Sequence, residues 1–225
     1  ILTTQAFGGY ACRMLRPARL TLAMAVTASL GCLVLWPSTP TWAQPAPPKA
    51  AKKTPGSTLP KTPAERDRAL SDLYALLATA DDEATAKAVA EGIERVWFFS
   101  GSPTVDVLLG RATKAVSEKN YDSALGFLDN VVEQAPDFTE GWNRRAYVHF
   151  QRNELSLALG DLRRALALDP NHFKALDGLA QVLREIGQKK AALEVLERLN
   201  EVHPYWPGVP LAIEELAREV EGQRT

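Results

Sequence analysis

The sequence predicts an all-α fold, a solenoid of repeated helical pairs, and three observations lead to this prediction. From residue 62 onward the apolar residues recur at the spacing of amphipathic helices, and no alternating, β-branched strand candidate interrupts them. Three groups of residues recur every 34 positions. They are Pro136, Pro170 and Pro204; Ala124, Ala158 and Ala192; and Ala112, Ala146 and Ala180. Both cysteines lie before residue 44, so a disulfide framework cannot hold this part together, and stacked apolar faces must.

Each recurring column has a physical role. Proline lacks a backbone N–H and clashes with a preceding helical turn, so each of the three prolines is predicted to end a helix. The two alanine columns are predicted to lie where paired helices approach most closely, because a larger side chain would separate them. Bulky side chains fill the remaining positions: Trp142, Leu162 and Leu166 in one unit, and Leu176, Leu179, Leu183 and Leu196 in the next.

Residues 105–204 resemble three tandem tetratricopeptide repeats (TPRs), a family with 34-residue helix-turn-helix units. The unit 139–172 matches best, with Trp142, Ala146, Ala158, Ala165 and Pro170 at family positions. The unit 105–138 departs from the pattern at Leu108, where Trp is typical, and the unit 173–206 keeps Ala180, Gly187, Ala192 and Pro204. The resemblance implies a right-handed solenoid of about three units, similar to exported bacterial TPR proteins.

The segments on either side extend the helical pattern. Residues 64–104 are interpreted as a degenerate helical pair, with Tyr74, Leu77, Ala78 and Ala90 in phase with the repeats. Its closing run, Trp97-Phe98-Phe99, is expected to pack against the first full repeat. Residues 207–225 are interpreted as a capping helix and tail, which a solenoid end requires. The predicted apolar stripe of this helix is Leu211, Ile213, Leu216 and Val220.

Residues 1–43 are interpreted as a secretory signal, with Met14 as a possible true start. Three arginines (13, 16 and 19) precede an uncharged, mainly apolar run over 20–36, and Thr41-Trp42-Ala43 offers small residues at the cleavage positions. The expected location is therefore the periplasm. Two alternatives stay open: the apolar run is kept as an inner-membrane anchor, or the box at 29–32 directs lipidation of Cys32. Residues 44–63 carry six Pro and four Lys and are interpreted as an extended linker, either a spacer or a segment attracted to an anionic envelope surface.

Composition and motifs argue against several functions. The chain has a net charge of −1, and beyond residue 43 it has 23 basic and 27 acidic residues, without the basic surplus that nucleic-acid binding needs. No glycine-rich phosphate loop, nucleophile elbow or zinc-protease motif occurs. His149 is expected to be a core histidine, and His172 and His203 lie near unit junctions without metal-ligand spacing. The expectation is no enzyme, no metal and no cofactor.

The resemblance implies where a partner would bind. In this family the first helix of each unit lines a concave face, with outward positions 2, 5, 9, 12 and 13. In this sequence those positions are Asp106, Leu109, Thr113, Val116 and Ser117; Glu140, Asn143, Tyr147, Phe150 and Gln151; and Lys174, Asp177, Gln181, Arg184 and Glu185. The candidate partner-binding residues are Asn143, Tyr147, Phe150, Lys174, Asp177, Gln181 and Arg184. Of the family's clamp for C-terminal carboxylates only Lys174 is matched, so no such clamp is expected.

Three functions remain as hypotheses: an exported scaffold or adaptor that binds a peptide or protein partner, a membrane-tethered structural component of cell-envelope assembly, and a binder of carbohydrate or small ligands. The partner's identity is not encoded in the repeats. One internal pair is predicted as well: Arg145 replaces the usual Leu of the family, and a partly buried ion pair with Asp161 on the second helix of the same unit would compensate its charge.

Overall fold

The computed structural model describes residue 60 and residues 62–222, which lie in one compact unit. This part of the chain is all-α, and its residues form no strand. The helices are α1 Pro63–Ala78, α2 Glu83–Trp97, α3 Pro103–Ser117, α4 Tyr121–Gln134, α5 Thr139–Gln151, α6 Leu155–Leu168, α7 Phe173–Glu185, α8 Lys189–Val202 and α9 Val209–Gly222. The predicted signal and most of the predicted linker lie outside the described residues.

Helices α3 to α8 form three antiparallel pairs, and the second helix of each pair packs on the first helix of the next element. All six alanines of the two repeating columns are buried, as their predicted role requires. Each second helix ends two residues before its proline, at Gln134, Leu168 and Val202. The residue before a proline avoids the helical conformation, which accounts for this common end point.

The turn inside each repeat is built in the same way three times. Position 15 of the repeat has a left-handed backbone at Lys119 (φ 57°), Asn153 (φ 61°) and Gly187 (φ 76°). The N–H of the following residue reaches back to a carbonyl of the first helix, from Asn120 to Ala115, from Glu154 to His149 and from Gln188 to Leu183, at 2.8, 2.9 and 2.8 Å. This is the hydrogen-bond pattern of a Schellman cap, which ends one helix and starts the return.

The N-terminal helical pair does not extend the stack in front of the first repeat, and this part of the prediction is wrong. Its helices are out of phase with the repeat, and α1 contacts α8. Trp97 lies in one apolar cluster with residues of the third repeat and is stacked on His172. The pair therefore folds back along the inter-repeat turns. Gly101, with φ 85°, permits the reversal between α2 and α3.

Helix α9 covers the end of the third repeat by packing on α8. Val209 and Leu216 are buried, and Ala212 and Ile213 pack against the same cluster. Leu211 is 64% exposed, so its predicted place in the apolar stripe is wrong: it follows Pro210 in the first turn and faces away from α8. Among the helices of residues 62–222, none combines the length and apolar character that crossing a bilayer demands.

Candidate binding groove

An open groove of about 390 Å³ runs along the first helices of the three repeats. Six of the seven candidate residues line it: Asn143, Tyr147, Phe150, Lys174, Asp177 and Gln181. Arg184 is exposed on α7 but does not belong to the lining. The repeat positions thus bring most of the predicted set together, and whether the set binds a partner stays a prediction.

The walls of the groove are largely apolar. Ala112 and Val116 of α3, Ala146 of α5 and Val182 of α7 contribute small or branched side chains. Tyr147 projects from α5 and is 51% exposed, although it is a large aromatic side chain. Exposed aromatic side chains in a concave apolar surface are typical of binding sites, because burial by a ligand removes them from water.

A buried charge cluster lies at one side of the groove. Glu140 is 3% exposed, and its Oε1 accepts a hydrogen bond from Arg144 Nε at 2.6 Å, while its Oε2 accepts one from Asn143 Nδ2 at 2.9 Å. Burial favours the protonated acid, but the nearby ring of His172 and the charge of Arg144 outweigh it and hold the pKa of Glu140 at about 2. The carboxylate is therefore ionised at neutral pH.

The ring of His172 connects this cluster to the N-terminal helical pair. Its Nδ1 accepts a hydrogen bond from the N–H of Ala175 at 3.2 Å and so caps α7. An accepting Nδ1 requires the proton of the neutral ring to be on Nε2, which lies 3.2 Å from Glu140 Oε2. The same ring is stacked on Trp97, with centroids 3.7 Å apart.

The two cations of the groove have partners within the chain. Arg144 also donates to Thr113 Oγ1 at 3.1 Å and lies 4.4 Å from the ring centroid of Phe98. Lys174 Nζ lies 2.8 Å from Glu94 Oε2 of α2. The folded-back helical pair therefore places its own groups, Phe98 and Glu94, against both cations.

Asp177 is the remaining acidic side chain of the groove lining. Gln181 Nε2 donates to its Oδ2 at 2.8 Å, and the neutral indole N–H of Trp206 also stabilises its charged form. Burial raises the pKa of Asp177, and these two neutral donors offset that effect only in part. Among the ion pairs of the described residues, none involves Asp177.

A second cavity, also of about 390 Å³, lies between α1 and the inter-repeat turns. At its wall Tyr74 Oη donates to Asp169 Oδ2 at 2.6 Å, and Trp97 Nε1 donates to Tyr74 Oη at 3.1 Å. Burial, followed by the charge of Asp169, raises the pKa of Tyr74 far above its ordinary value. This cavity lies where the N-terminal helical pair packs against the repeats.

Within residues 62–222 no three His, Cys, Asp or Glu side chains are arranged to hold a metal ion.

The predicted ion pair inside the middle unit is confirmed. Arg145 donates to Asp161 through Nε and Nη2, both at 2.7 Å, and a third hydrogen bond joins its Nη1 to Asp129 at 3.1 Å. Its guanidinium also lies 4.8 Å from the ring centroid of Trp142. Asp161 is buried. This fork joins α5 to α6 and to α4, and it fixes the helix that carries Tyr147 and Phe150.

The sequence comparisons establish the family. The tetratricopeptide repeat pattern matches residues 139–172. A TPR repeat-containing protein of Rhizobium etli is 33% identical over 156 residues, which make up 69% of this chain and 76% of that protein. The chain belongs to the tetratricopeptide repeat family. The predicted family is confirmed by this relative.

Solved TPR domains share the fold. The first TPR of Spaghetti (RPAP3), bound to the HSP90 peptide SRMEEVD, has a TM-score of 0.52 and 19% identity and covers 53% of this chain and 95% of that chain. The TPR domain of Sgt2 from Aspergillus fumigatus has a TM-score of 0.51 and 22% identity, with coverages of 55% and 84%. The predicted all-α helical-repeat fold is thereby confirmed.

Two of the outward positions that the TPR resemblance implies are buried instead. Glu140 was assigned an outward position and is buried instead, because the N-terminal pair of this TPR protein covers that junction. Leu109 is also buried, since its side chain packs with Val105 and Leu128 in the core of the first repeat. Trp206 also lines the groove and does not belong to the predicted set.

A sequence signal for these differences existed. His172-Phe173 and Trp206 place three rings around one junction, with Phe173 and Trp206 centroids 5.1 Å apart. The repeat pattern itself requires only small alanine side chains where helices meet, so it does not account for these aromatic side chains. Together with Trp97-Phe98-Phe99, they indicate two aromatic surfaces that can cover each other.

Proposed function

We propose that this TPR protein acts outside the cytoplasm as a protein–protein interaction module, a scaffold or adaptor that holds a peptide or partner segment in the concave groove. The observation that carries the proposal is the groove itself. Candidate side chains of two repeats line one open, largely apolar groove, and the side chain of Tyr147 in this groove is half exposed. A groove with apolar walls and a few polar groups suits an extended or amphipathic segment.

The fold comparison adds support of a general kind. The TPR domain of Spaghetti is bound to a peptide, so a groove of this fold can hold one. The chemistry of that ligand does not carry over, because Lys174, the one residue here that matches the carboxylate clamp, is paired with Glu94.

Selection from a random-peptide display library tests the groove. The purified chain from residue 44 onward is expected to enrich peptides whose binding falls by about tenfold or more when Tyr147 is changed to Ala, since buried aromatic side chains are frequent hot spots. Leu157→Ala is the matched control, because Leu157 is 55% exposed on α6 and lies outside the groove lining. Equal loss in both variants, or peptides that tolerate Tyr147→Ala, would exclude the groove as the binding surface.

Export is the second part of the proposal and rests on the basic start, the apolar run 20–36 and the cleavage pattern before Gln44. Fractionation followed by N-terminal sequencing is expected to find a periplasmic product that begins at Gln44. Recovery in the membrane pellet with residues 20–36 retained would instead favour the alternative, a tethered structural component of cell-envelope assembly.

A further inference from the structure

The groove offers little free positive charge to a ligand. Arg144 is held by Glu140 at 2.6 Å, and that carboxylate is buried and ionised. Lys174 is held by Glu94 at 2.8 Å. An acidic ligand would have to displace one of these internal carboxylates before it could gain an ion pair, and each displaced acid would lose its own partner.

The groove does offer an acid without a cation. Asp177 is half buried, and the groups that stabilise its charge are neutral: Gln181, which donates a hydrogen bond to it, and the indole of Trp206. A carboxylate withdrawn from water is poorly stabilised by neutral dipoles alone, which is why its pKa is raised. A cationic group placed beside it would stabilise its charged form.

The surroundings of Asp177 suit a Lys or Arg side chain. Tyr147, Phe150 and Trp206 line the same groove, and together with Val116 they offer partly exposed apolar surface to neighbouring residues of a ligand. Aromatic faces attract cations through their ring quadrupole, and a carboxylate receives a charge-assisted hydrogen bond from Lys or Arg. A cation and an apolar neighbour are thus both accommodated.

We propose that the groove selects a partner segment in which a Lys or Arg is flanked by apolar residues, with the cation paired to Asp177. This inference rests on the proposed function and narrows it to one class of ligand. The expected ligand is a segment of another protein. The chain's own residues 44–61, which carry four Lys, are an alternative occupant that the experiment must distinguish.

The first measurement uses the peptides selected on the wild-type chain. They are expected to be enriched in Lys or Arg at one position next to apolar residues. Asp177→Asn should weaken them by about tenfold, because a charge-assisted hydrogen bond is lost while an amide keeps the side-chain shape. Glu197→Gln is the matched control, since Glu197 is exposed on α8 outside the groove, and it should leave their affinity unchanged.

A second variant shifts the preference in the opposite direction. Glu94→Gln removes the partner of Lys174 and should allow peptides with Asp or Glu to be selected, whereas the wild-type chain is expected to reject them. Tyr147-dependent peptides without Lys or Arg enrichment, or cationic peptides that tolerate Asp177→Asn, would overturn this inference and leave the proposed function standing. Absence of any Tyr147-dependent peptide would overturn both. A synthetic peptide of residues 44–61 that binds as tightly as the selected peptides would overturn the assignment to a partner protein.

Discussion

Trp97 and His172 are stacked with ring centroids 3.7 Å apart and ring planes 11° from parallel. Trp97 ends the second helix of the N-terminal pair, and His172 caps the first helix of the third repeat. The contact therefore joins two parts of the chain that the repeat pattern places at opposite ends. It also brings Glu94 and Phe98 to the edge of the groove, against Lys174 and Arg144. The N-terminal pair thus helps to form the candidate binding groove.

Trp97→Ala is expected to lower the free energy of unfolding by about 3–5 kcal/mol, since the side chain is 3% exposed and its removal leaves a cavity against His172 and Phe173. Urea denaturation measures the loss, and hydrogen exchange should locate it in α1 and α2. Leu76→Ala, at a 40% exposed position of the same pair, should change the value by less than about 0.5 kcal/mol. Unchanged exchange in α1 and α2 of the Trp97 variant would contradict the docked arrangement.

Glu140→Gln is expected to make the free energy of unfolding less dependent on pH in the acid range. The pKa of Glu140 is lowered to about 2 in the folded chain from an ordinary 4.5. Its ionised form therefore stabilises the fold fully above about pH 4.5, by roughly 3 kcal/mol, and this stabilisation is lost as pH falls towards 2. Denaturation curves between pH 7 and 3 should show wild type and variant converging as pH falls. The exposed Glu133→Gln serves as control, and a constant difference between wild type and the Glu140 variant would refute the assignment.

Local periodicity explains why the repeats could be predicted from the sequence and the N-terminal arrangement could not. Alanines such as Ala146 and Ala158 recur because neighbouring helices meet in the same way in each unit. The 34-residue spacing of the alanines therefore predicts where the helices contact each other. Asp161 is close to Arg145 in the chain, and both belong to one helical pair. Tyr74 and Asp169 are 95 residues apart, and their hydrogen bond repeats nowhere. No period in the sequence predicts such a contact. The N-terminal pair buries Glu140 through contacts of this kind, so its repeat position alone predicted an outward side chain wrongly.

A double-mutant cycle on Arg145 and Asp161 should give a coupling free energy of about 1–3 kcal/mol, because the pair is bidentate at 2.7 Å and Asp161 is buried. Arg145→Lys should recover only part of it, since an ammonium cannot reproduce the planar fork. The control cycle is Arg164 and Asp137, which are 3.6 Å apart and 45% and 89% exposed, with an expected coupling below about 0.5 kcal/mol. Equal values for the two cycles would remove the fork as a stabilising feature.

Position 15 of the repeats offers a comparison of one backbone conformation with three different residues. Lys119 has φ 57°, which costs a residue with a Cβ about 1–2 kcal/mol, whereas Gly187 adopts φ 76° without that cost. Lys119→Gly is therefore expected to raise the free energy of unfolding by about 1 kcal/mol, after allowance for the greater freedom of glycine in the unfolded chain. Asn153→Gly should have a smaller effect, because asparagine tolerates the left-handed region. Gly187→Ala should lower stability by about 1 kcal/mol. Thermal and urea denaturation of the three variants measure these differences. If Lys119→Gly destabilised the protein, as glycine does inside a regular helix, the turn would not have the left-handed geometry, and the hydrogen bond from Asn120 to Ala115 that depends on it would be lost as well.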